Sequence, residues 1–145
     1  MKKLFFLLVC LFTIQTVAFA DNDKPIQINQ MPATAQQFIK QHFSGQKVAM
    51  AKVESDFFDK SYEVIFTSGN KIDFDKKGNW KEVNCKFSFV PNAIIPVAIQ
   101  NYVKTNYPET KILKIDKDKK DYEVTLSNRI ELKFDLKFNL IDIDN

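Results

Sequence analysis

From Pro32 onward the chain is written twice, and no other feature constrains its fold as much. Pro32-Ala33-Thr34-Ala35-Gln36-Gln37-Phe38-Ile39-Lys40 reappears 64 residues later as Pro96-Val97-Ala98-Ile99-Gln100-Asn101-Tyr102-Val103-Lys104. Lys47-Val48 falls on Lys111-Ile112 at the same offset. Further on the offset is 60, which sets Tyr62-Glu63-Val64 on Tyr122-Glu123-Val124, Phe74-Asp75 on Phe134-Asp135, and Trp80 on Leu140. The first copy therefore holds four extra residues, within Ser55 to Lys60. Two copies are too few to stack into a solenoid. They predict a duplicated unit with pseudo-symmetry, residues 31–89 and 90–145, folded together as one domain.

Each unit reads as a helix followed by four strands. Ala35, Phe38, Ile39 and Phe43 share a helical face behind Pro32, as Ile95, Ile99, Tyr102 and Val103 do in the second copy. Tyr62, Val64 and Phe66 alternate with Glu63, Ile65 and Thr67, the period of a half-buried strand. Ser68-Gly69-Asn70 and Lys76-Lys77-Gly78-Asn79 are turn segments. The second copy has Arg129 and Phe138 where these glycines stand, so its turns are expected to use other conformations or longer loops. The fold class is α+β, with both helices on one face of a shared antiparallel sheet. The 14 phenylalanines supply a large apolar payload for so small a core.

The first 20 residues read as an address. Lys2 and Lys3 precede an apolar run to Val17, and Ala18-Phe19-Ala20 matches a signal-peptidase site. Cys10 is a poor lipoprotein cysteine, because bulky Val9 precedes it and the apolar run continues past it. Cleavage after Ala20 leaves 19 basic residues against 18 acidic ones, a net charge of +1. Residues 21–30 follow as a polar leader. The expected location is periplasmic or secreted, with no transmembrane anchor after cleavage. A near-neutral chain without a basic stripe is a poor nucleic-acid binder.

A proline-led helix, Tyr62-Glu63-Val64, then Gly69-Asn70-Lys71-Ile72-Asp73-Phe74-Asp75-Lys76-Lys77-Gly78-Asn79-Trp80, then Val90-Pro91-Asn92-Ala93-Ile94, resembles the PepSY-like, beta-lactamase-inhibitor-like secreted proteins of Bacteroidetes-type bacteria. The resemblance spans roughly Met31 to Asp144. It implies helices on one face of an antiparallel sheet and a protein-inhibitory or envelope-regulatory role. It supplies no catalytic or ligand residues.

The residues themselves argue against catalysis. His42 is the only histidine, too little for triad chemistry or a histidine-rich zinc site. Cys85 lacks a recognisable base and reads as a packed strand-end thiol, with an intermolecular disulfide as the alternative. Asp116-Lys117-Asp118-Lys119-Lys120-Asp121 lacks the glycine and terminal glutamate of a calcium loop and reads as a solvated hairpin loop. Asp73 and Asp75, like Asp142 and Asp144, are explained by strand alternation, and the last pair is expected on a half-buried strand. No catalytic, cofactor-binding or metal-ligating residue is assigned.

Two features suggest contact with a partner. Phe57 and Phe58 lie in the inserted segment, flanked by acids, as a tucked anchor or a contact surface. Trp80 shares a strand phase with Glu82, which by alternation turns it away from the helices, toward Ile65, Lys71 and Asp73. Trp80, Phe57, Phe58, Ile65, Lys71 and Asp73 are the candidate partner-binding set. The expected function is a non-enzymatic module that binds an envelope protein or peptide through its open sheet face and loops. The alternative is a small-molecule or envelope-ligand binder using a cleft between the two repeats.

Overall fold

The computed structural model describes residues 22–145, so the signal-peptide reading lies outside the described residues. Nine strands and two α-helices follow one another as β1 (Asp23–Ile26), α1 (Ala33–His42), β2 (Val48–Ser55), β3 (Lys60–Phe66), β4 (Lys71–Phe74), β5 (Trp80–Asn84), α2 (Val97–Asn106), β6 (Ile112–Lys117), β7 (Asp121–Leu126), β8 (Glu131–Asp135) and β9 (Leu140–Asp144). The strands form one antiparallel sheet in sequence order, β1 to β9. The leader thus contains a strand: Asp23–Ile26 pairs with β2, its Pro25 lying opposite Lys52. Proline lacks an N–H, so it suits this edge position.

Both helices cover the same side. Ala35 and Ile39 of α1 and Ile99 and Val103 of α2 are buried, and Phe38 meets Phe74 edge-on while Tyr102 does the same to Phe134. Beneath them lie Val64, Ile72, Val83, Ile115, Val124 and Leu132, all fully buried. Neither helix has a side-chain cap from its N-terminal proline. Instead a glutamine in each first turn reaches back. Gln36 Nε2 donates to the Met31 carbonyl and Gln100 Nε2 to that of Ile95, each at 2.7 Å.

The turns of the second half do not use other conformations. Gly69 (φ 87°) and Arg129 (φ 71°) sit at corresponding places, as do Gly78 (φ 85°) and Phe138 (φ 65°). The turn hydrogen bonds agree: Gly69 N–H to Phe66 O and Arg129 N–H to Leu126 O are both 2.9 Å. Asp75 accepts from the N–H groups of Lys77 and Asn79, and Asp135 from those of Lys137 and Asn139, all at 2.9 Å. These Asx contacts hold the left-handed residue in place, so a side chain is tolerated there at a cost.

Each half also has one β-bulge in its last hairpin. Asp73 pairs with Glu82 but Phe74 pairs with Trp80, leaving Lys81 extra. Lys133 pairs with Asp142 but Phe134 with Leu140, leaving Ile141 extra. This bulge overturns the expected side of Trp80. An extra residue reverses the alternation, so Glu82 stays on the open face while Trp80 joins Phe74 beneath α1. Strand β9 is also not half-buried: every residue from Ile141 on is exposed, because nothing among the described residues pairs with its outer edge.

Candidate functional site

The side of the sheet away from the helices is open and charged. Strand alternation sends every second residue there, and register decides which ones line up. Glu63 faces Asp73, Asp73 faces Glu82, Glu82 faces Asp116, and Asp116 faces Glu123. Five carboxylates thus cross five adjacent strands without interruption. At about 4.8 Å between strands, the row is about 19 Å long. Lys52 on β2 and Lys133 on β8 end it.

Like charges directly opposite one another destabilise a sheet, and lysines alongside the row offset this. Lys71 Nζ lies 3.1 Å from Glu63 and 3.3 Å from Asp73. Lys114 Nζ lies 3.0 Å from Asp116 and 3.9 Å from Glu82. Lys52 bridges Asp23 at 2.7 Å and Glu63 at 3.1 Å. The compensation is uneven. For Glu63, burial opposes ionisation, but hydrogen bonds from Lys71 and Lys52 outweigh it and hold the carboxyl below its usual range. Asp73 and Glu82 go the other way. Burial pushes both up, and the attraction of Lys71 for one and Lys114 for the other does not reverse it, with Glu63 and Asp116 adding like-charge repulsion. The centre of the face is therefore short of positive charge.

The residues form a concavity of about 690 Å³. Nine acids and six lysines line it, an acidic surface on a chain whose overall charge is positive. Of the residues singled out in the sequence, Lys71 and Asp73 line it, and Ile65 lies opposite Lys71 in the sheet. Phe57 and Phe58 stand at the β2–β3 hairpin tip, 101% and 95% exposed, so they are not tucked into the core. Trp80 is on the other side, its ring stacked on Phe38 with centroids 6.4 Å apart and Lys117 Nζ 5.8 Å above it. In the sequence Glu63, Glu82 and Glu123 stood out only as strand residues and Asp116 only as part of a hairpin loop, none of them as a site residue. Asp116 and Asp121 belong to strands, and the hairpin loop between β6 and β7 is confined to 118–120. The one available signal was the repeated Tyr-Glu-Val, which places Glu63 and Glu123 alike.

Neither His42 nor Cys85 is set up as a catalytic group. His42 packs against Phe38, centroids 4.8 Å apart. Cys85 is buried, and burial pushes its thiol up to about 11, far from a reactive thiolate. Among the described residues no three His, Cys, Asp or Glu side chains converge to hold a metal ion. No helix among them is long and apolar enough to cross a membrane.

Fold and site together define an open-faced α+β domain, two helices backing a nine-stranded antiparallel sheet with a charged, concave free side. Residues 60–142 match the family described as "Putative beta-lactamase-inhibitor-like, PepSY-like", and the chain belongs to that family. Three solved structures are similar. A "putative calcium-regulated periplasmic protein" from Bacteroides thetaiotaomicron is 76% identical, with a TM-score of 0.85, over 87% of this chain and 99% of that one. A "putative periplasmic protein" of the DUF2874 family from Bacteroides vulgatus is 67% identical, with a TM-score of 0.85 and the same coverage of 87% and 99%. A second "putative periplasmic protein of unknown function" from Bacteroides vulgatus is 38% identical, with a TM-score of 0.80, over 85% and 99%. No curated protein matches the chain.

Proposed function

We propose that this chain is a non-enzymatic periplasmic module that binds a protein or peptide of the cell envelope through its open sheet face, with Phe57 and Phe58 as apolar anchors at the rim. The observation that carries this reading is the carboxylate row. Five acids in register hold repulsion within the fold, and a partner's positive groups would relieve it. The inhibitor-like family description and the periplasmic descriptions of three relatives support the same reading. One relative is described as calcium-regulated. In this chain Lys52, Lys71 and Lys114 already fill the gaps between carboxylates, which favours a partner's side chains over a metal ion as the row's counter-charge.

The same evidence supports a tandem duplication as the origin of the fold. The two halves share a helix-then-four-strands order, two bulge positions, and both left-handed turn residues.

The functional test is capture from the native envelope with a charge-swapped face. Glu82→Lys with Glu123→Lys should weaken recovery of a specific partner at least about tenfold, a change of about 1.4 kcal/mol. Gln37→Ala, on the helix side, should not. Equal recovery by both would overturn the reading.

A further inference from the structure

The outer edge of β9 stands where, in the first half, a strand is bound. Ile72 pairs with Val83 and Asp73 with Glu82; Leu132 pairs with Ile143 and Lys133 with Asp142. With the bulge at the same place in both hairpins, β9 presents the same outward backbone groups as β5. Strand β5 uses its own: Val83 pairs with Ile115, and the Cys85 N–H donates to the Leu113 carbonyl at 2.7 Å. Strand β9 lacks such a partner among the described residues. Its Ile143 N–H donates to Asp142 Oδ1 and its Asn145 N–H to Asp144 Oδ1, both at 2.9 Å. These adjacent carboxylates stand in for the missing carbonyls. The side chains tell the same story, since Val83 is fully buried and Ile143 is 46% exposed.

We propose that β9 is a strand-addition site for an extended segment that alternates basic, apolar and basic residues. An incoming antiparallel strand would supply carbonyls to the Ile143 and Asn145 N–H groups, as β6 does for β5. Its apolar residue would lie opposite Ile143, where Ile115 lies opposite Val83. Its flanking residues would lie on the open face beside Asp142 and Asp144, both exposed and each holding a backbone N–H of its own strand but no salt bridge among the described residues, which calls for lysine or arginine. The same two aspartates disfavour a second copy of this chain. Two β9 strands would set aspartate against aspartate, and β1 would bring Asp23 on that face and Pro25 without an N–H. The site is at the sheet's edge, so it stands or falls independently of the open-face reading.

The probe is a short synthetic peptide alternating lysine and valine, read by amide hydrogen exchange on the protein spanning residues 22–145. Binding should slow exchange of the Ile143 and Asn145 amides at least about tenfold. Asp142→Lys with Asp144→Lys, both exposed positions, should abolish that protection and transfer it to a glutamate–valine peptide. Binding that leaves these two amides unchanged, and is lost with Glu82→Gln and Glu123→Gln, would assign the peptide to the open face and overturn the edge proposal. No binding at all would overturn it too. So would concentration-dependent self-association that protects Ile143 without peptide.

Discussion

The indole of Trp80 lies over Phe38 at an interplanar angle of 29°, which pins the start of β5 to the centre of α1. Trp80 is half-buried and packs on the core, on the helix side of the sheet. Trp80→Ala should therefore destabilise the isolated protein by about 2–4 kcal/mol, somewhat less than for a fully enclosed tryptophan. Chemical denaturation measures this, and iodide should quench its fluorescence only in part.

The left-handed turns give opposite expectations in the two halves. Arg129 has a φ of 71° and is exposed, so Arg129→Gly should stabilise by about 1 kcal/mol. Gly78 has the same handedness, but an added Cβ would come within 2.8 Å of Pro32 Cβ and 2.9 Å of the Ala35 nitrogen. Gly78→Ala should cost more than about 1 kcal/mol, because strain and contact act together. Thermal melts of the two variants check the signs.

How much of this was legible in the sequence differs by element. The helices were, because Pro32 and Pro96 mark their starts and the apolar spacing is helical. Strand β3 was, because Tyr62, Val64 and Phe66 alternate with polar neighbours. Trp80 was misplaced because a bulge at Lys81 leaves no mark in residue types. Strand β1 was missed because Asp23-Lys24-Pro25-Ile26 is made a strand by its pairing with β2, not by its own propensity. The carboxylate row depends on register across five strands, which pairwise alternation within each strand does not fix.

Stability should respond to pH in two opposed ways. Asp75 accepts hydrogen bonds from its turn, and these outweigh burial to lower its pKa. Its contribution is full above the ordinary carboxylate value and is lost as pH falls through the lowered one. Glu82 is raised, so its ionised form is disfavoured in the fold; its penalty is absent at low pH and appears as pH rises through the raised value. Glu82→Gln should raise the neutral-pH melting temperature and flatten its dependence in mild acid, within about 1 kcal/mol. Asp75→Asn should lower the neutral-pH melting temperature and reduce the loss in acid.

Phe57 and Phe58 touch each other, ring centroids 6.4 Å apart, and are otherwise surrounded by solvent. Replacing both with serine should shift stability by no more than about 0.5 kcal/mol. The same change should weaken partner binding at least about tenfold. Denaturation and binding measured on one variant separate the two roles.

The central claim is that the open face is the binding surface. Site-specific photocrosslinking in living cells tests it most directly, with the crosslinker placed in turn at Thr125 on the open face and at Gln41 on α1. The account predicts a discrete protein adduct from Thr125, lost on Glu82→Lys with Glu123→Lys, and none from Gln41. An adduct formed at Gln41 and absent at Thr125 would contradict it.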